Sequence, residues 1–494
     1  MTIPASDTAV PHGHIDRRWI WIIVGAGVAA LPAIATAGEL ETRYLLYGAL
    51  GVGLLAIAPY LITAAGSSER LLWTIFVLSL QLELAFSPIV GPQKDAGPYG
   101  TMISLTLLSS LALLALWASA RTWAGGERLN VDRRLVLAAA GVVCAALLSL
   151  VNAAGRWLGL FGVFELLSLT LTAIVANHGC SRRRNILTVQ SALFVCLFIQ
   201  SAFIVVEQIS GVQISLARGV NSSYAWGGGS EGRFAGTFGA PSSAATFLVV
   251  CLLFLFRRLT SVQPPSRPIA FWALFAFGFL ALLLTRTRSE WIGFAIGWSG
   301  MGWQCYREGS LSKRALIRLL AGGAVALVVA WPLVAQRLAD DHKGAADTRE
   351  NLVRIAVAMI KANPITGVGI NTATNQVYGY AASAGVSGWV FIVHNQFFLV
   401  AAETGVPGIA AFVGLTWIGL RAARRCMRSG DALISEGGAA LFWSLWTMVW
   451  ALNLDNVSGT MTYMLYWFLI GAACGLNSLR QQADGAPRGA LARA

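Results

Sequence analysis

Apolar runs long enough to cross a hydrocarbon slab recur along the whole chain. A bilayer core about 30 Å thick demands about 20 mostly apolar residues of an α-helix, and lipid leaves every backbone N–H and C=O to be satisfied internally. That requirement removes nearly every architecture except a helix bundle. Fourteen candidate spans are read: 19–38, 44–65, 70–90, 101–120, 134–152, 157–176, 185–209, 237–256, 268–285, 289–304, 315–333, 394–420, 436–455 and 459–478. The run 289–304 is short and Gly-rich, which leaves twelve or thirteen as the alternative count. The first run, "WIWIIVGAGVAALPAIATAG", is too long for a signal-peptide core and is read as retained. Composition agrees: 56% of the 494 residues are hydrophobic and only 12% are charged, against about 25% in ordinary soluble domains. The expected fold is all-α, a polytopic membrane bundle of about 12–14 helices with a long, partly helical outer loop.

Charge orients the bundle. With both termini in the cytoplasm, roughly two thirds of the 36 Lys and Arg fall on the inner side, as cytoplasmic loops require. The net charge of +13 is then spread over many short inner loops, so it forms no single patch for nucleic acid. The expected organisation is a cytoplasmic tail (1–18), N-terminal spans (19–209), a core with two long outer loops (210–420), C-terminal spans (421–478) and a second tail (479–494). All seven cysteines fall in spans or inner loops, which predicts no disulfide. Histidine is scarce, five in all, and no cluster has metal-ligand spacing, so neither a metal nor another cofactor is expected.

The outer loops 210–236 and 334–393 are long enough to carry function. In the second, "DTRENLVRIAVAMIKANP" begins with Asp347 as the expected N-cap and Glu350 three residues on, a capping-box pattern. Leu352, Ile355, Met359 and Ala362 recur at helical spacing, and Asn363–Pro364 should end the helix. It should lie on the membrane surface or on the bundle. Four arginines stand at the outer face, where positive-inside statistics disfavour them: Arg233, Arg286, Arg288 and Arg349. Headgroup contact or snorkelling is the ordinary explanation. The alternative is a diphosphate site, because the planar guanidinium fork matches phosphate oxygens. His394, at the mouth of a span, either caps its helix or serves as a base near neutral pH.

Four stretches together resemble one family. "GRFAGTFGAPSSAATFL", "LLTRTRSEW", "TRENLVRIAVAMIKANPITGVG" and "VHNQFFLVAAETGVPG" look like the O-antigen ligase and Wzy-type polysaccharide polymerase superfamily. Arg288 matches the arginine of its T-x-S-R-like pattern. Arg349, with Pro364, Gly367 and Gly369, matches an arginine followed fifteen residues later by P-x-x-G-x-G. His394, Asn395, Glu403, Gly405 and Gly408 match HN…E.G..G. The match covers about 230–410, in order. Thr287 stands where serine is usual and Arg286 where a small residue is common, and Glu290 follows Ser289. Which of Arg286 and Arg288 makes the main phosphate contact therefore stays open.

The resemblance implies transfer of a glycan from an undecaprenyl-diphosphate carrier to a sugar hydroxyl. The reaction would run at the periplasmic face of the bacterial inner membrane, without a metal and with inversion. The implied partners are the lipid-linked oligosaccharide, an acceptor glycan lipid, membrane lipids, a chain-length regulator and a flippase. Arg233, Arg286 and Arg288 would bind the diphosphate, and His394, Arg288 and Arg349 would be catalytic. Asn395, Glu403, Gly367 and Gly369 would be supporting. A polymerase and a ligase differ only in acceptor, another lipid-linked repeat unit or the lipid A core; the number of spans favours the polymerase. A transporter would share the multispan plan, but it should show an internal repeat with matched broken helices, and none is visible.

Glu403 has its own reading. It lies nine residues beyond His394, about 13 Å deeper and on the opposite helix face. A charge at that depth costs on the order of 3 kcal/mol unless paired, so Glu403 is read as an anchor bonded within the bundle. Pro407 cannot donate to the carbonyl of Glu403, so the helix should kink there.

Overall fold

The computed structural model describes residues 66–82, 101–124, 129–211, 233–238, 240–263, 265–318, 345–387, 391–455 and 461–485, with a few isolated positions between. The expected spans 19–38 and 44–65, most of 315–333, and most of the loop 210–236 lie outside the described residues. The chain divides into two units, Met1–Leu71 and Leu72–Ala494. All elements but the first turn of α1 belong to the second.

In chain order the elements are α1 (Ser68–Ser79), the strands β1 (Ala85–Phe86) and β2 (Ile103–Ser104), α2 (Leu105–Ala124), α3 (Arg133–Ser149), α4 (Arg156–Cys180), α5 (Arg183–Ser210), α6 (Pro241–Leu259), α7 (Pro268–Leu284) and α8 (Arg288–Arg307). There follow α9 (Ala345–Ala362), α10 (Ala373–Ser383), α11 (Gln396–Cys426), α12 (Ala432–Leu454) and α13 (Met461–Gly485). The strands pair antiparallel over two residues. β1 falls inside the expected span 70–90, and α1 stops at Ser79, where the serine hydroxyl turns back to the carbonyl of Phe76 at 2.7 Å. Among the described residues every other regular element is a helix, as the apolar runs require.

Among the described residues six helices are long and apolar enough to cross a membrane: α3 with its 3-10 extension to Asn152, then α4, α5, α6, α11 and α12. Shorter apolar helices cover Leu105–Arg121 and Pro268–Leu284. The chain is thus a multi-pass helical membrane protein. Large apolar side chains such as Leu137, Trp157, Phe198, Ile209 and Ile269 are more than half exposed, which water would penalise and lipid tails would not. α8 and α13 fill expected spans but are less apolar. α13 packs extensively on α4 and α11. Being wrapped in protein, it can carry Thr462, Tyr463, Tyr466 and Asn477, all buried.

Glycine makes that packing possible. Gly471 and Gly475 are spaced as in G-x-x-x-G, and a Cβ on either would lie 2.2 Å from the carbonyl oxygen of Ala173 or Asn177 on α4. Small residues let membrane helices approach where no hydrophobic drive between them exists.

A second, smaller core sits at one end of α11. Leu352, Ile355 and Met359 of α9 join Val377 of α10, Ile392, Val393, Leu399 and Ala402. The amphipathic face of α9 is therefore spent on protein: it packs on α11 and α10. Two details differ from the sequence expectation. α9 begins at Ala345, so Asp347 lies inside its first turn rather than at the cap, and Ala362 is exposed, its place on the buried face taken by Ala356.

Candidate active site

Two of the motifs are opposite sides of one backbone contact. α11 is broken at Gly405, whose φ of 70° and ψ of −172° are not helical. Pro407 removes the donor that would have bonded Glu403, so the break falls where expected. The segment Pro364–Gly369 fills the gap. Val368 N donates to the carbonyl of Ala402 at 2.8 Å, Gly369 N to the carbonyl of Glu403 at 3.1 Å, and Val406 N to the carbonyl of Pro364 at 2.8 Å. Strand-like pairing thus replaces the missing helical bonds.

Glycine is required on both sides. Gly367 has φ +67°, and a Cβ there would sit 2.3 Å from the carbonyl of Glu403; a Cβ on Gly405 would sit 2.4 Å from the carbonyl oxygen of Ile365. Asn152 holds the turn from beneath, its amide donating to the Thr366 hydroxyl at 2.6 Å and the Gly367 carbonyl at 3.0 Å.

Glu403 is buried, and its Oε1 accepts from Ala373 N, the first residue of α10, at 3.3 Å. A carboxylate at a helix N-terminus satisfies an orphan N–H and meets the positive end of the dipole.

The rim is assembled by the end of α12. Asn395 caps α11, its Oδ1 accepting from the amides of Phe397 at 3.0 Å and Phe398 at 3.1 Å. Its Nδ2 donates to the carbonyl of Asn453 at 3.0 Å. Two residues on, Asp455 Oδ1 lies 3.5 Å from His394 Nδ1. His394 also stacks on Phe391, with ring centroids 5.9 Å apart, and its side chain keeps 28% of its surface. One turn earlier on α12, Trp450 donates its indole N–H to the carbonyl of Ser289 at 2.8 Å. That fixes the first turn of α8, with Arg288 as its first residue.

Arg286 occupies the turn between α7 and α8 with φ +50°, a left-handed conformation uncommon outside glycine. The turn is buttressed: the Thr285 hydroxyl bonds the carbonyl of Leu282 at 2.7 Å, and so does Trp291 Nε1 at 3.1 Å. Arg286 and Arg288 are half-buried, and Glu290 behind them is buried.

Arg233 is half-buried just before α6. Glu207 Oε2 accepts from the amides of Ala235 at 3.2 Å and Gly236 at 2.8 Å, while Gln200 bonds the carbonyl of Ala235 and the amide of Thr237. Arg349 stands on the exposed face of α9, and among the described residues nothing ties it to the rim. The structure thus joins His394, Asn395 and the Arg288 turn through α12, and joins Gly367, Gly369 and Glu403 in the loop-to-helix contact. Asp455, Asn453 and Trp450 were not singled out from the sequence. An acid at the end of an apolar run, after the H-N pair, is the only signal they offer. Among the described residues no group of three or more His, Cys, Asp or Glu is disposed to hold a metal ion.

Residues 272–413 match the family model described as O-Antigen ligase. The chain carries a domain of the O-antigen ligase family. That family is one of membrane glycosyl-transfer enzymes, and the match confirms the resemblance over the segment holding Arg286, Arg288, Arg349, the Pro364–Gly369 turn, His394 and Glu403. Arg233 and Asp455 lie outside it. A comparison with curated proteins found no match.

Proposed function

We propose that this O-antigen ligase-type protein transfers a glycan from an undecaprenyl-diphosphate carrier to a sugar hydroxyl, at the periplasmic face of the bacterial inner membrane. The observation that carries the reading is the last turn of α12, which contacts the His394–Asn395 corner and the Arg288 turn at once.

The chemistry divides accordingly. With Nδ1–H of His394 directed at Asp455, the lone pair on Nε2 takes the proton of the acceptor hydroxyl. The oxygen attacks the anomeric carbon as the bond from that carbon to the diphosphate oxygen breaks. The electron pair leaves with the diphosphate, whose charge Arg286 and Arg288 stabilise, and Arg233 is assigned to the same diphosphate. Displacement in one step inverts the anomeric centre. Asp455 then stabilises the imidazolium. Arg349 would reach the donor by movement of α9. The guanidinium groups supply the positive charge a divalent ion would otherwise bring, so chelation should leave turnover intact. Inhibition by a chelator, reversed by a divalent cation, would overturn this part of the mechanism.

The favoured acceptor is another lipid-linked repeat unit, making the protein a polymerase of exopolysaccharide or O-antigen, with a flippase and a chain-length regulator as partners. The purified protein is given lipid-linked oligosaccharide with and without a lipid A core acceptor. Laddered products from the donor alone support the polymerase; a shifted core acceptor and no ladder identify a ligase. No transfer in either arm sinks the donor assignment.

A further inference from the structure

The end of the bundle away from His394 holds a second constellation of arginines, and it forms a groove. α11 runs from Asn395 at the rim to Arg421 some 26 residues on, about 40 Å at 1.5 Å per residue, which is the thickness of a bilayer with its headgroups. There α3, α11 and α13 frame an open cavity of about 730 Å³ lined by Arg133, Arg134, Arg425, Asn477 and Arg480. A smaller adjoining cavity shares Asp132, Arg134, Arg425 and Asn477 with it and adds Arg421 and Trp417.

Three observations separate this groove from an ordinary basic rim. Five guanidiniums converge from three helices, against Asp132 and Asp484. Both acids are engaged: Asp132 Oδ1 accepts from the amide of Arg134 at 2.8 Å, and Asp484 pairs with Arg480 at 2.7 Å. Among the described residues the guanidinium groups of Arg133, Arg134, Arg421 and Arg425 have no hydrogen bond or ion pair to a protein partner. Trp417, one turn before Arg421, leaves 62% of its surface outside the protein. An amphipathic ring beside unneutralised guanidiniums is suited to the boundary between acyl chains and headgroups.

We infer that this groove binds the phosphodiester headgroup of an anionic phospholipid from the leaflet opposite the candidate active site. Arg134, Arg421 and Arg425 hold the phosphate oxygens through their planar forks, Asn477 and Arg480 line the polar floor, and Trp417 packs along the first acyl segments. A basic pocket between membrane helices is the expected recognition device for such headgroups.

The test uses the full chain in neutral detergent, with thermal unfolding followed as lipid is added. Cardiolipin or phosphatidylglycerol should raise the midpoint and phosphatidylcholine should not. The R134Q/R421Q/R425Q variant should need about a hundredfold more anionic lipid for the same shift. A control variant of equal charge loss, K313Q/R314Q/R318Q, should respond as the native chain does. Should the triple variant fail to fold, R421Q and R425Q alone are each expected to weaken the response about fivefold. An unchanged response in the variants, or an equal response to phosphatidylcholine, overturns the site. A full shift from inorganic phosphate or glycerophosphate alone also overturns it, and would mark a soluble-anion site instead.

Discussion

His394 and Arg288 show how much a residue's role depends on its neighbours. A histidine at a helix mouth could be a mere cap, but Asn395 fills that role, with its Oδ1 on two amides of α11. His394 instead sets its Nδ1 beside Asp455. Replacing His394 with Ala should lower transfer by about 10²–10⁴-fold, the range for loss of a general base, with the unfolding midpoint unchanged. Full activity in that variant would remove the base from the mechanism. Arg288→Lys keeps the charge and loses the fork, so turnover should fall clearly. Retained turnover would shift the clamp to Arg286 or Arg233. Asp431 is a residue of the other kind, structural and titratable. It caps α12 by accepting from Ile434 N at 3.2 Å. Burial pushes its carboxyl up, but Arg183 and that amide outweigh burial and hold it below the usual carboxylate range. A lowered folded value means that its stabilising contribution is present above the unfolded value of about 3.9 and is lost as pH falls through the lower folded one. Asp431→Ala should cost about 1 kcal/mol of stability at neutral pH. The gap between variant and native midpoints should close in acid; a gap that persists there would mean the cap acts without its charge.

At the scale of elements, the break in α11 matters most. It lies where the small outer core ends and the main core begins: Leu399 and Ala402 belong to the first, Phe412 and Leu415 to the second. The Pro364–Gly369 turn bonds across the break, and Glu403 holds the start of α10. The glycines and the glutamate are therefore parts of a joint that sets how the outer helices stand over the rim. Glu403→Gln keeps an acceptor for Ala373 N and should retain fold and most activity. Glu403→Ala leaves that amide buried without a partner and should cost about 1–3 kcal/mol. If the Gln variant folds normally yet is inactive, the carboxylate has a part in the chemistry that the joint does not explain. This joint was half legible beforehand. Pro407 predicted the kink through its missing N–H, but nothing local in "PITGVG" says what its glycines approach, because the partner lies about 35 residues away.

For the molecule as a whole, the two constellations at opposite ends of α11 give a directional prediction. A cysteine introduced at Tyr378, exposed on α10, should react with a membrane-impermeant thiol reagent in intact spheroplasts. One at Arg428 should react only after permeabilisation, and the reverse pattern would invert the topology and place the candidate active site in the cytoplasm. The helical class, the membrane setting and the order of the motifs were readable from sequence alone, because hydrocarbon imposes one solution on any long apolar run and because His394, the arginines and the glycines stand at fixed spacings. Distant pairings were decided only by the tertiary structure. These are Asp455 beside His394, Trp450 holding the turn of Arg288, the Pro364–Gly369 segment against the break in α11, and three helices bringing their arginines into one groove. Each depends on which helices are neighbours. That choice rests on small-residue approaches such as Gly471 on Ala173 and on buried hydrogen bonds between remote residues, and neither leaves a periodic trace in the chain.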